Sequence, residues 1–129
     1  MDCVFCKIIN EEIPSYTVYE DEIVKVFLDI NPNTNGHMLI VPKKHYVNIL
    51  DLDEEVRNHI FKIQKKMYEL VKNKIGADGI TFAQNNELGQ DVKHYHMHLI
   101  PRYNNDGWKN IYNKNNINNI EEIYEKLKK

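Results

Sequence analysis

Three histidines stand at alternate positions in Gly89-Gln90-Asp91-Val92-Lys93-His94-Tyr95-His96-Met97-His98-Leu99-Ile100-Pro101-Arg102. On an extended strand alternate side chains share a face, so His94, His96 and His98 line up while Tyr95, Met97 and Leu99 turn towards a core. On a helix the same residues would spread over most of a turn. Tyr, Met, Leu and Ile suit a half-buried strand, a glycine turn precedes it and Pro101 ends it. A row of imidazoles supports three readings. As metal ligands, His94 and His98 lie roughly 13 Å apart at about 3.3 Å per residue. Zinc–nitrogen bonds are only about 2 Å long, so two of the rings plus outside ligands can share an ion, but all three need a distorted strand. As phosphate chemistry, a neutral imidazole is a competent nucleophile near its ordinary pKa of about 6.5, and its neighbours can donate to phosphoryl oxygens. A row with no chemistry is the third reading, uncommon for three histidines in register.

Cys3 and Cys6 form a Cys-x-x-Cys pair at the other end of the chain. Redox-active pairs of this spacing usually follow a strand and open a helix, and nothing precedes this one. Zinc is the better reading, with two thiols making half of a tetrahedral site.

The elements that must position these groups follow from periodicity. Residues 1–14 carry Val4, Phe5, Ile8, Ile9 and Ile13 at spacings that fit a short helical turn closed by Pro14. Taken alone, that cluster reads as a cap on one end of the core rather than as a ligand wall. Residues 16–28 read as a hairpin around an acidic turn at Glu20-Asp21-Glu22, and residues 29–36 as a loop. A buried strand spans 37–42. Val56, Ile60, Ile63, Met67 and Leu70 mark a long helix over 51–74, with Asp51-x-x-Glu54 resembling a capping box and Gly76 just past the end. His59 reads as a surface residue of that helix. Another strand covers 79–84, and short connections favour antiparallel pairing. The polar tail, 103–129, ends in a weakly amphipathic helix.

Composition bounds the setting. The 129 residues suit one domain, with 42% apolar residues, 28% charged residues and a net charge of −2. Nothing in that balance points to a nucleic acid or membrane surface. No long apolar run or secretory leader is visible, so the cytoplasm is the expected compartment.

His94-Tyr95-His96-Met97-His98-Leu99-Ile100, flanked by Gly89-Gln90 and Pro101-Arg102, resembles the signature of the histidine triad (HIT) family, His-φ-His-φ-His-φ-φ with φ apolar. The resemblance extends to Phe5-Cys6-Lys7-Ile8-Ile9, Ile13-Pro14, Phe27-Leu28-Asp29-Ile30, Gly36-His37 and Pro42-Lys43-Lys44-His45. It implies an α+β fold with an antiparallel sheet of about five strands, one long helix and a short N-terminal helix, in a homodimer. It also implies hydrolysis at the α-phosphate of purine nucleotides: a histidine attacks phosphorus, a nucleotidyl-histidine intermediate forms, and water releases the nucleoside monophosphate.

By the same resemblance His96 is the nucleophile, His98 contacts the phosphate and His37 buttresses the site. Asp29 accepts the ribose hydroxyls, Phe5, Ile8, Ile13 and Ile30 hold the base, and Asn85 and Gln90 lie near the phosphate. Cys3, Cys6, His45 and His94 match a zinc site found in some relatives. The chemical step needs no other cofactor. Hydrolysis of adenosine 5′-phosphoramidate is the leading expectation. The alternatives are a dinucleoside polyphosphate hydrolase, a zinc-dependent hydrolase and a non-catalytic nucleotide-binding module. Asp91 stands where many members carry Ser or Thr, replacing a donor by a group that, when ionised, only accepts.

Overall fold

The computed structural model describes residues 3–128. The elements run α1 (Val4–Ile9), β1 (Thr17–Glu20), β2 (Val24–Leu28), β3 (Met38–Pro42), α2 (Glu54–Ile75), β4 (Gly79–Ala83), β5 (Met97–Arg102), a 3-10 turn (Lys114–Asn116) and α3 (Ile120–Leu127). The strands form one sheet in the order β1-β2-β3-β5-β4, and every neighbouring pair is antiparallel. This is the α+β architecture expected, with five strands, one long helix and a short N-terminal helix. None of the described helices is long and apolar enough to cross a membrane.

Alternation along the strands divides the core. Val24, Val26, Met38, Ile40, Met97 and Leu99 pack with Ile60, Ile63, Met67 and Val71 of α2. Phe27, Leu39 and Val41 take the opposite face and pack with Cys3, Phe5 and Ile8. The register sets Phe27 opposite Leu39 and Leu39 opposite His98, so His98 belongs to the α1 face. Lys25, buried on β2, donates from Nζ to the Ile8 carbonyl at 3.2 Å and so ties the end of α1 to the sheet.

Several local expectations are corrected. The triad does not lie wholly on a strand, because β5 begins only at Met97. Tyr95 N–H donates to the Tyr46 carbonyl, outside the β-ladder, as the chain approaches the sheet. Tyr95, Met97 and Leu99 do reach the core. Helix α2 starts at Glu54 with Asp53 as N-cap, not at Asp51. The Asp51 carboxylate is spent on Val47 N–H and Asn48 N–H, both at 3.0 Å, closing the preceding turn. Gly76 ends α2 at φ 68°, its N–H donating to Val71 O. Helix α1 stops at Ile9 with Asn10 as its C-cap, before Pro14.

His59 is not simply a surface residue. Its Nε2 lies 2.6 Å from Asp21 Oδ2, joining α2 to the β1–β2 turn. Asp21 also accepts from Ile23 N–H, Val24 N–H and the Tyr19 hydroxyl, all at 2.8 Å. Burial alone would raise this carboxyl, but these bonds and His59 hold it well below the usual carboxylate range. The tail helix α3 forms as expected, and its residues through Leu127 are exposed.

Candidate active site and metal centre

The histidines divide into two groups, and backbone hydrogen bonds decide what each ring can do. His94 is fully buried, and its Nε2 donates to the Pro42 carbonyl at 2.8 Å. In a neutral ring this leaves Nδ1 with its lone pair free. Burial chiefly pushes the His94 pKa down to about 4, keeping the ring neutral. Around that Nδ1 lie Cys3 Sγ at 3.4 Å, Cys6 Sγ at 3.5 Å and His45 Nδ1 at 3.0 Å, with Cys6 Sγ 3.3 Å from His45 Nδ1. Bonds of about 2.0–2.3 Å in a tetrahedron set ligand atoms roughly 3.3–3.8 Å apart, close to this spacing. Burial, then the neighbouring Cys3, raises the Cys6 thiol to about 11, so a cation is what would favour its thiolate. Tautomer, spacing and ligand type therefore all fit a metal ion held by Cys3, Cys6, His45 and His94.

His96 is 4% exposed, and its Nδ1 donates to the His94 carbonyl at 2.8 Å. Its Nε2 is therefore the nitrogen with an available lone pair. Phe5 meets this ring edge-on, with centroids 4.9 Å apart, and also packs against Phe27 and His94. His98 lies beside it, at a centroid separation of 5.0 Å.

A second chain of hydrogen bonds sets the His98 tautomer. Asn33 N–H donates to His37 Nδ1 at 3.0 Å, so the proton of His37 resides on Nε2. That Nε2 lies 3.0 Å from His98 Nδ1 and donates to it, which places the remaining His98 proton on Nε2. Burial lowers both pKa values; Asp29 opposes the shift at His37, and Asp29 and Asp91 oppose it at His98. A bare nitrogen on His96 and a donor on His98 thus stand side by side. Asp29, His37 and His98 also cluster closely enough to suggest a second metal site. The Asn33 N–H argues against it, because it commits His37 Nε2 to a proton rather than to a metal bond.

Both rings line a cleft of about 300 Å³. Phe5, Ile8, Ile13, Leu39 and Val92 give it apolar wall, while Asp29 and Ile30 stand at the loop after β2. The structure therefore gathers Phe5, Ile8, Ile13, Asp29, Ile30, His96 and His98 at one place. His37 supports that place from behind. Asn85 and Gln90 are not among the residues that line it. Asn85 is exposed in the turn after β4, its Oδ1 close to Gly89. Gln90 is buried, donating to Val47 O at 2.6 Å and accepting from Glu87 N–H at 3.2 Å. Asp91 is not turned away from the site: its Oδ1 stands 3.6 Å from His96 Nε2. Sequence reasoning missed Asn33 and Pro42, which act through backbone groups and so leave no side-chain signature.

Comparison with known proteins bears on the family of the chain. Residues 10–105 match the HIT domain. An uncharacterized HIT-like protein of Methanocaldococcus jannaschii is 50% identical over 107 residues, covering 81% of this chain and 82% of the relative. A HIT family protein of Bacillus anthracis superimposes with a TM-score of 0.83 at 39% identity, covering 98% of this chain and 94% of the other. A zinc-bound histidine triad family protein of Mycobacterium smegmatis gives 0.80 at 35% identity, covering 84% and 81%. Two relatives have stated activities, each 39% identical. One is an adenosine 5′-monophosphoramidase of Saccharomyces cerevisiae, matching 78% of this chain and 62% of the relative. The other is an adenylylsulfatase of Arabidopsis thaliana, matching 81% and 54%. The paired imidazoles in the apolar cleft, the four-ligand cluster and these matches place the chain in the HIT family.

Proposed function

We propose that the protein hydrolyses purine nucleoside 5′-phosphoramidates through a nucleotidyl intermediate on His96. The observation that carries this is the 2.8 Å bond from His96 Nδ1 to the His94 carbonyl, which leaves Nε2 bare and aimed into the cleft. His96 Nε2 attacks the α-phosphorus and the amine departs. Water then attacks the same phosphorus, the P–N bond to His96 breaks, and the nucleoside monophosphate leaves. His98 donates from Nε2 to the phosphoryl oxygens as charge builds there. Asp29 takes the ribose hydroxyls, and the apolar walls hold a purine by burial and stacking. Gln90 fixes the loop leading into the triad rather than touching phosphate. The yeast relative's activity supports the choice of substrate.

The Cys3, Cys6, His45 and His94 set suits zinc, whose thiolate and imidazole preference it meets. When bound, zinc supplies a clamp between α1 and the segment entering β5. Two copies pair through the β4 sheet edge and α2, where Phe82 and Phe61 are exposed, Phe61 at 77%.

A substrate panel tests the proposal. Adenosine 5′-phosphoramidate should be turned over faster than diadenosine tri- or tetraphosphate, and His96→Ala should lose turnover while still binding AMP. Turnover surviving in His96→Ala, or faster cleavage of the polyphosphates, would overturn it.

A further inference from the structure

A carboxylate beside a phosphate site calls for explanation, since both are anionic. Asp91 Oδ1 stands 3.6 Å from His96 Nε2, the nitrogen assigned above as attacking phosphorus, and its side chain is 80% exposed. Val92 N–H donates to the same oxygen at 2.9 Å, fixing the carboxylate in place. The lysine two residues on does not cancel it: Lys93 Nζ donates to the Gln90 carbonyl at 3.0 Å. Asp91 lines two clefts at once. One is the nucleotide cleft; the other, of about 600 Å³, shares Val4, Ile13, Asp91 and Val92 with it and continues past Lys7 and His45. A phosphate bound against His96 and His98 must send its leaving group out of the first cleft, and Asp91 stands on the wall between the two.

From this placement, and resting on the hydrolase reading above, we infer that Asp91 selects the leaving group: it favours an amine and rejects an anion. An ionised carboxylate only accepts hydrogen bonds. The nitrogen of a phosphoramidate carries N–H groups that can donate to it. A sulfate or polyphosphate leaving group offers no such donor and brings negative charge against Asp91. Selection by repulsion is as effective as selection by attraction.

The cleavage step balances for both substrates. The His96 Nε2 lone pair forms the new N–P bond, and the bond from phosphorus to the leaving atom breaks with its electron pair going to that atom. An amine nitrogen, protonated by solvent water before cleavage, departs as the neutral amine. A sulfate oxygen departs carrying the charge.

The test measures kcat/KM for adenosine 5′-phosphoramidate and adenosine 5′-phosphosulfate with wild type, Asp91→Asn and Asp91→Ser, alongside inhibition by AMP. Removing one unit charge some 5 Å from another, near a surface, should move the amine-to-sulfate ratio by roughly tenfold towards sulfate. Both variants should shift that ratio, and both should bind AMP more tightly. A ratio within about twofold of wild type in both variants overturns the inference, including the case of equal losses on the two substrates. Turnover of neither substrate by wild type overturns the hydrolase reading and this inference together, so the two failures are distinguishable.

Discussion

The link from Asn33 through His37 to His98 makes a demanding prediction. His37→Leu removes the group that donates to His98 Nδ1 at 3.0 Å. His98 is then free to carry its proton on Nδ1, leaving Nε2 without the hydrogen it would give to phosphate. His37 is 3% exposed, so water is not well placed to replace it. Leaving a buried group unmet costs about 1–3 kcal/mol. At about 1.36 kcal/mol per factor of ten, kcat should fall roughly 5- to 150-fold. His37→Gln retains an amide donor of similar reach and should stay within about fivefold of wild type. The assay is steady-state hydrolysis of adenosine 5′-phosphoramidate, with AMP binding measured separately to show that the cleft survives. A His37→Leu enzyme within about twofold of wild type, or a His37→Gln enzyme as damaged as His37→Leu, would refute the relay.

Three further outcomes are expected. Purified protein should hold one equivalent of zinc, lost in Cys3→Ala/Cys6→Ala; zinc at a hundred times its dissociation constant stabilises by about 2.7 kcal/mol. At roughly 4 °C per kcal/mol, the wild-type melting point should exceed that of the variant by about 10 °C, and zinc retained by the variant would sink the site. Burial lowers the folded pKa values of His37 and His98 below the ordinary 6.5, so the unfolded chain binds more protons on that interval. Their contribution to stability is present above about pH 6.5 and is lost as pH falls through the folded values, and melting points flat between about pH 7 and pH 5 would contradict this. Gly36 sits at φ +88°, where an added Cβ would meet Ile75 Cδ1 at 2.6 Å. Gly36→Ala should therefore cost about 1–3 kcal/mol in urea unfolding, and an unchanged midpoint would show that the loop before His37 yields freely.

What the sequence revealed was mainly what periodicity and side-chain type encode. The α2 stripe from Val56 to Leu70, the alternation that sends Tyr95, Met97 and Leu99 inward, and Gly76 as a helix stop could all be read there. Strand rise argued against one ion holding all three histidines, the resemblance then assigned His94 to the metal, and the cluster of His94 with Cys3, Cys6 and His45 agrees with that assignment. The strand order was not legible, because β3 pairs with β5 across the whole of α2 and β4. Nor were the specific partners that set the tautomers. They are Asn33 N–H and the carbonyls of Pro42 and His94, groups that every such residue carries and that only folding brings to a ring. The His59–Asp21 pair was hidden for the same reason, its partners lying 38 residues apart. The direction of Asp91 also needed the turn around it, which Val92 N–H fixes.

In the proposed mechanism His96 carries the nucleotide between the two displacements. That role is tested most directly by mixing enzyme with adenosine 5′-phosphoramidate, quenching in alkali to preserve a P–N bond, and locating the adduct by peptide mass spectrometry. One adenylyl group is expected on the peptide containing His96, on that histidine, and none in His96→Ala. An adduct on another residue, or a His96→Ala protein that still turns substrate over, would contradict it.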